Sequence, residues 1–67
     1  MMEITVNGAP TMVASGSTVE DLVEQMISST KGVAVALDRE VIPRSRWSAT
    51  ELRGGQQVEI VTAAAGG

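Results

Sequence analysis

Met2-Glu3-Ile4-Thr5-Val6-Asn7-Gly8-Ala9-Pro10-Thr11-Met12-Val13-Ala14 is the stretch that decides the fold. Apolar Met2, Ile4 and Val6 alternate with polar Glu3 and Thr5, the period of a half-buried strand. Asn7-Gly8 follows. Both residues tolerate positive φ, so the pair predicts a tight hairpin. Pro10 then opens a return strand from Thr11 to Ala14, and an edge strand accepts a proline at its first position.

Beyond the hairpin, Ser15-Gly16-Ser17-Thr18 is a break with helix-start chemistry. Thr18 with Asp21, or Ser17 with Glu20, offers a capping box. Val19, Leu22, Val23 and Met26 fall at i, i+3, i+4 and i+7 and give the helix one apolar face. Glu20, Asp21 and Glu24 lie near its N-terminal end, where carboxylates suit the helix dipole. The helix should fade by Ser28-Ser29-Thr30, with Gly32 serving the turn beyond.

Val33 to Leu37 reads as a strand, with Val33, Val35 and Leu37 on one side and small Ala34 and Ala36 on the other. Asp38-Arg39-Glu40 reads as a polar turn. Val41-Ile42 is a short strand closed by Pro43, which cannot donate to a ladder. Arg44 to Leu52 is irregular, with room for a single helical turn. Gly54-Gly55 is a turn and Val58 to Val61 the last strand. The helix and the sheet each have one apolar face and must bury it against the other. The expected fold is therefore α+β: a β-grasp domain with a mixed sheet of four to five strands and one main helix across one face. Its expected extent is residues 1–61, followed by a flexible tail over 62–67.

Alternation sets Ile4, Val6, Val58 and Ile60 against Leu22, Val23 and Met26. It leaves Val61 on the opposite sheet face, beside the tail, as a candidate docking contact. Trp47, the only aromatic residue, is expected to plug the rim of a thin aliphatic core. Arg44 and Arg46 are expected to solvate their loop.

Composition removes most side-chain chemistry. The 67 residues allow one small domain, which buries only about 60% of the surface its unfolded chain exposes. A deep private active site does not fit that size. There is no Cys, hence no disulfide, thiolate metal site or cysteine nucleophile. There is no His, so the serines lack the base of a Ser-His-Asp arrangement, and the commonest metal ligand is missing. Neither a bound cofactor nor a metal is expected. The net charge is −3 and no basic run forms, so nucleic-acid binding is not expected. No apolar run approaches the ~18 residues of a membrane span, and Met1 to Val6 lacks the basic start of a secretory signal. The expected setting is cytoplasmic, away from membranes.

The segment Thr62-Ala63-Ala64-Ala65-Gly66-Gly67 is where chemistry remains. Gly66 and Gly67 lack Cβ atoms, so this backbone can enter a channel too narrow for larger residues. Six residues extend roughly 20 Å, far enough to reach a buried site in another protein. A free glycine carboxylate is inert, but activation by ATP to an acyl-adenylate makes it electrophilic.

Four segments carry a family resemblance: Val19-Glu20-Asp21-Leu22, Gly32 to Leu37, Val41-Ile42-Pro43-Arg44-Ser45-Arg46-Trp47, and Val58 to Gly67. Across its whole length the chain resembles the ThiS family of sulfur carriers for thiamine thiazole biosynthesis, within the ubiquitin-like superfamily. The most specific stretch is the one from Val41 to Trp47. The resemblance implies that the Gly67 carboxylate is adenylated by an ATP-using, E1-like adenylating enzyme. It implies conversion to a thiocarboxylate with sulfur that a cysteine desulfurase or other donor supplies. A thiazole synthase then takes the sulfur, and the chain is a protein co-substrate and no catalyst. The sequence departs from the family with Gly55-Gln56 before the last strand and with Ala63-Ala64-Ala65 in the tail. Alternatives in the same chemistry are carriers for molybdopterin, cysteine or tRNA thiolation. Molybdopterin carriers often have Pro where Ala63-Ala64-Ala65 stands here. Further alternatives are a covalent modifier joined through Gly67 to lysines, and a non-covalent β-grasp interaction module.

Overall fold

The hairpin forms as expected, from β1 (Met2–Val6) and β2 (Ala9–Val13), paired antiparallel from Met2–Val13 to Val6–Ala9. Asn7 and Gly8 turn it with φ of 50° and 83°, which few other residue pairs adopt without strain. The return strand begins at Ala9, earlier than expected. Pro10 sits opposite Thr5 on the outer strand of the sheet, where no neighbour needs its missing N–H. The computed structural model describes residues 1–27 and 32–62.

Helix α1 (Val19–Met26) starts at Thr18, which decides between the two possible capping boxes. The Thr18 backbone N–H donates to Asp21 Oδ2 at 3.0 Å, and the Asp21 N–H donates to Thr18 Oγ1 at 3.2 Å. Thr18→Ala removes this cap. It should lower stability by about 1 kcal/mol, a fall of ~4–8 °C in thermal midpoint for a domain of this size. A thermal melt followed by circular dichroism checks this, and an unchanged midpoint would show that the box contributes nothing.

Val19, Leu22 and Val23 are buried, but Met26 is 51% exposed and is not part of the core. The helix stops at Met26 and the backbone turns extended at Ile27. Ile27, partly buried, packs on the core in the place expected for Met26. The expected fading of the helix over 28–30 lies outside the described residues.

Strand β3 (Val33–Leu37) is joined to β4 (Glu40–Ile42) through Asp38 and Arg39, both at positive φ. Glu40, expected in the turn, is the first residue of β4 and pairs with Leu37. Two residues with positive φ close a hairpin without a third. Asp38 is further held from the side: its N–H donates to Gln57 O at 2.8 Å, and its Oδ1 accepts from Gln57 N at 2.9 Å.

Pro43 is followed by a 3-10 helix, Arg44–Ala49, whose six residues make about two turns where a single helical turn was expected. It delivers Trp47 to the interior, where Nε1–H donates to Ile42 O at 2.9 Å. Thr50 and Leu52 tie the following segment to the start of α1. Val19 N–H donates to Thr50 O at 2.9 Å and Leu52 N–H to Ser17 O at 2.8 Å.

The last strand, β5 (Gln57–Thr62), inserts into the middle of the sheet, whose order is β2-β1-β5-β3-β4. It runs parallel to β1 and antiparallel to β3. Helix α1 and the 3-10 helix close one face over Ile4, Val6, Val35, Leu37, Val58 and Ile60. This is the α+β β-grasp arrangement, with five strands.

Candidate functional site

The root of the tail is the feature that the fold positions most firmly. β5 starts between two neighbours and continues along one of them. On the β3 side, pairing continues from Leu37–Val58 to Val33–Thr62. Thr62, counted with the tail in the sequence reading, thus belongs to the ladder. The other tail residues, Ala63, Ala64, Ala65, Gly66 and Gly67, lie outside the described residues.

On the β1 side, pairing ends sooner. Thr5 and Val6 face Gln57 and Val58. Thr5 N–H donates to Gln56 O at 2.9 Å and Asn7 N–H to Val58 O at 2.8 Å. There the hairpin turns away, and the Asn7 side chain takes over. Its Nδ2 donates to Ile60 O at 3.2 Å, and its Oδ1 accepts from Ile60 N–H at 2.8 Å. One amide therefore serves both backbone groups of Ile60, as a strand residue would. By its Asn-Gly context Asn7 is expected to be a turn residue only. Nothing in local periodicity points to a contact 53 positions away.

The outer face of the sheet at this root carries Val61, 61% exposed, opposite Ala34. Ala36 on the same strand lies opposite Val41, which is also exposed. The small alanines leave the two valines standing above the sheet. Val61 is thus placed where the sequence reading put it, on the face away from α1.

Elsewhere the described residues offer little chemistry. No group of three or more Asp, Glu, His or Cys that could hold a metal ion forms among them. Asp21 is taken up by the helix cap, and Glu20 and Glu24 are exposed. A groove of about 280 Å³ beside β4 is lined by Leu37, Glu40, Val41, Ile42, Pro43 and Arg46 together with Thr50. The Thr50 hydroxyl there donates to Arg46 O at 2.7 Å. Arg44 lies over the Trp47 ring, 6.0 Å from its centroid, and caps that side of the core. No described helix is long and apolar enough to cross a membrane.

The sequence pattern of the ThiS family matches residues 2–67, nearly the whole chain. The chain belongs to the ThiS family. Among its relatives is the sulfur carrier protein ThiS of Escherichia coli K12, 32% identical over 66 residues, spanning 98% of this chain and 100% of that protein. The crystal structure of the thiamine biosynthesis protein ThiS from Geobacter metallireducens superposes with a TM-score of 0.83 at 33% identity. It covers 98% of this chain and 100% of that one. The solution structure of a thiamine biosynthesis protein from the same organism gives 0.81 at 33% identity, covering 98% and 88%. The ThiS-like fold and the family membership thus agree, and both take in β5 and the position of the tail root.

Proposed function

We propose that this chain is a sulfur carrier for the thiazole ring of thiamine and that its reactive group is the Gly67 carboxylate. The observation that supports this best is that the family match continues through Gly67, past the last paired residue of β5. The role assigned to the chain is that of a co-substrate. An E1-like adenylating enzyme binds ATP, and the Gly67 carboxylate attacks the α-phosphorus to release pyrophosphate and form an acyl-adenylate. Sulfur drawn from a cysteine desulfurase or another donor then adds at the carbonyl carbon as a persulfide, and AMP leaves. A second thiol of the sulfur-transfer machinery cleaves the resulting acyl disulfide, so that the thiocarboxylate is released and the two thiols are left as a disulfide. A thiazole synthase accepts that sulfur, and the carrier returns as the carboxylate. ATP is held by the activating enzyme, and the carrier needs no cofactor of its own. The setting is the cytoplasm.

The described domain contributes presentation. β5 leads up to residues 63–67, and Val61 is an exposed apolar side chain next to Thr62 that suits a partner contact. Arg44, over the Trp47 ring, is taken up by the core rim and not by loop solvation as expected from sequence, and Arg46 solvates the loop.

Incubation with the cognate activating enzyme, ATP and a sulfur donor tests the proposal by intact mass. The expected result is a gain equal to the replacement of one oxygen by one sulfur, mapped to the C-terminal peptide. An active enzyme that leaves the mass unchanged would sink the carrier reading. Isopeptide bonds from Gly67 to lysines in cell extract would replace it with a covalent modifier.

A further inference from the structure

We infer that Asn7 is a positioning residue for the tail: its amide holds β5 at Ile60, near the root of the tail, on the flank where pairing with β1 has ended. This rests on the carrier reading above, in which partner enzymes must take hold of the segment after Thr62.

Asn-Gly is a common hairpin turn, and turn geometry alone would account for Asn7. Its side chain does something that the turn does not need. Both amide atoms reach across to Ile60, one accepting from its N–H and one donating to its C=O. Even-numbered residues of β5 direct their backbone groups to this side, as the bonds at Val58 and Ile60 show, and the Gln56 carbonyl just before the strand does the same. By the same alternation the backbone groups of Thr62 point to the β1 flank, beyond the hairpin turn. Among the described residues Asn7 is therefore the last lateral tie on the β1 side, two residues before Thr62. Without it, β5 beyond Val58 would be held on the β3 side alone, and its end would fray. A partner enzyme would then have to order those residues as well as the tail, and binding would weaken.

Two substitutions separate this role from the turn. Asn7→Gly keeps the positive φ and the backbone bond to Val58 but deletes both side-chain bonds. Asn7→Asp keeps the φ tolerance and the acceptor for Ile60 N–H. It sets an oxygen with no proton against Ile60 O. In Asn7→Gly, amide hydrogen exchange at Ile60 should rise by about tenfold, while Val6, Val35 and Leu37 stay protected. Activation by the adenylating enzyme should show a KM raised about three- to tenfold with kcat nearly unchanged, the mark of weakened binding. Asn7→Asp should fall between wild type and Asn7→Gly in both measurements.

Thr18→Ala is the control, because it destabilises the domain at the helix cap, on another element. If the two variants raise KM equally at matched loss of stability, Asn7 acts only as a structural residue and the inference fails. It fails also if Asn7→Gly leaves exchange at Ile60 or KM at the wild-type value. If the wild-type protein is not activated at all, the carrier reading fails and takes the positioning role with it. The exchange result at Ile60 would then stand as a purely structural tie.

Discussion

Deletion of Gly67 is expected to abolish sulfur loading while the thermal midpoint stays where it was. The shortened chain still ends in a glycine carboxylate, that of Gly66, so the chemistry of the end group is preserved. What changes is reach. One residue of extended chain is ~3.3–3.6 Å, and the new carboxylate stops short of the reacting phosphorus by that amount. Misplacement of about 1 Å in an active site can cost about 100-fold in rate. A loss well beyond that, to no detectable thiocarboxylate, follows. Stability should be insensitive because, among the described residues, every buried core residue lies between Ile4 and Ile60. Intact mass after incubation with the activating enzyme reads the first effect and a thermal melt reads the second. A truncated protein that loads at the wild-type rate would remove Gly67 from the site. One that melts early would show that the end of the chain is part of the folded domain.

The second large effect is on stability. Trp47→Ala should leave the domain largely unfolded at ambient temperature. Removing a buried Trp costs ~3–5 kcal/mol through lost transfer energy and the cavity left behind. Here it also strips Ile42 O of its donor. A native domain has only about 5–15 kcal/mol in total, and one of 67 residues lies near the lower end. No other aromatic residue exists to fill the space. Trp47→Phe keeps most of the volume and loses the N–H, so it should cost about 1–3 kcal/mol. Urea titration followed by far-ultraviolet circular dichroism compares the three proteins, since the fluorophore itself is removed. A Trp47→Ala midpoint equal to wild type would place the indole outside the load of the core.

Much of this was legible because local signals agreed with the fold. Alternation in Met2–Val6 and Val33–Leu37, the Asn7-Gly8 turn and the apolar face of α1 each describe a contact between near neighbours in sequence. The choice between Thr18 and Ser17 as cap was not legible, since both offer a hydroxyl with a carboxylate three residues on. Met26 misled because its spacing fits a longer helix, and the backbone leaves the helix at Ile27. Glu40 looked like a turn residue by polarity alone. Leu52 has no periodic context, yet it is buried because the chain at Thr50–Leu52 is tied to Ser17 and Val19. The bond from Asn7 to Ile60 depends on the order of strands in the sheet, which no local pattern encodes. For the site, the glycines of the tail carried the message through composition and resemblance.

The central place of β5 has a mechanical consequence. An enzyme that draws the chain end into a deep channel exerts traction along that strand. An edge strand under such a pull would peel away, one hydrogen bond at a time. β5 is paired with β3 up to Thr62, tied by Asn7 at Ile60 and paired with β1 at Gln57 and Val58, so the load is carried in shear along the β3 ladder and reaches the β1 ladder deeper in the sheet. The sheet then acts as a stopper on a cord. In the proposed role, five residues of fully extended chain reach at most about 18 Å past Thr62, and the folded sheet would halt at the mouth of a partner's channel. The carrier would then set the depth of its terminal carboxylate together with the enzyme that receives it.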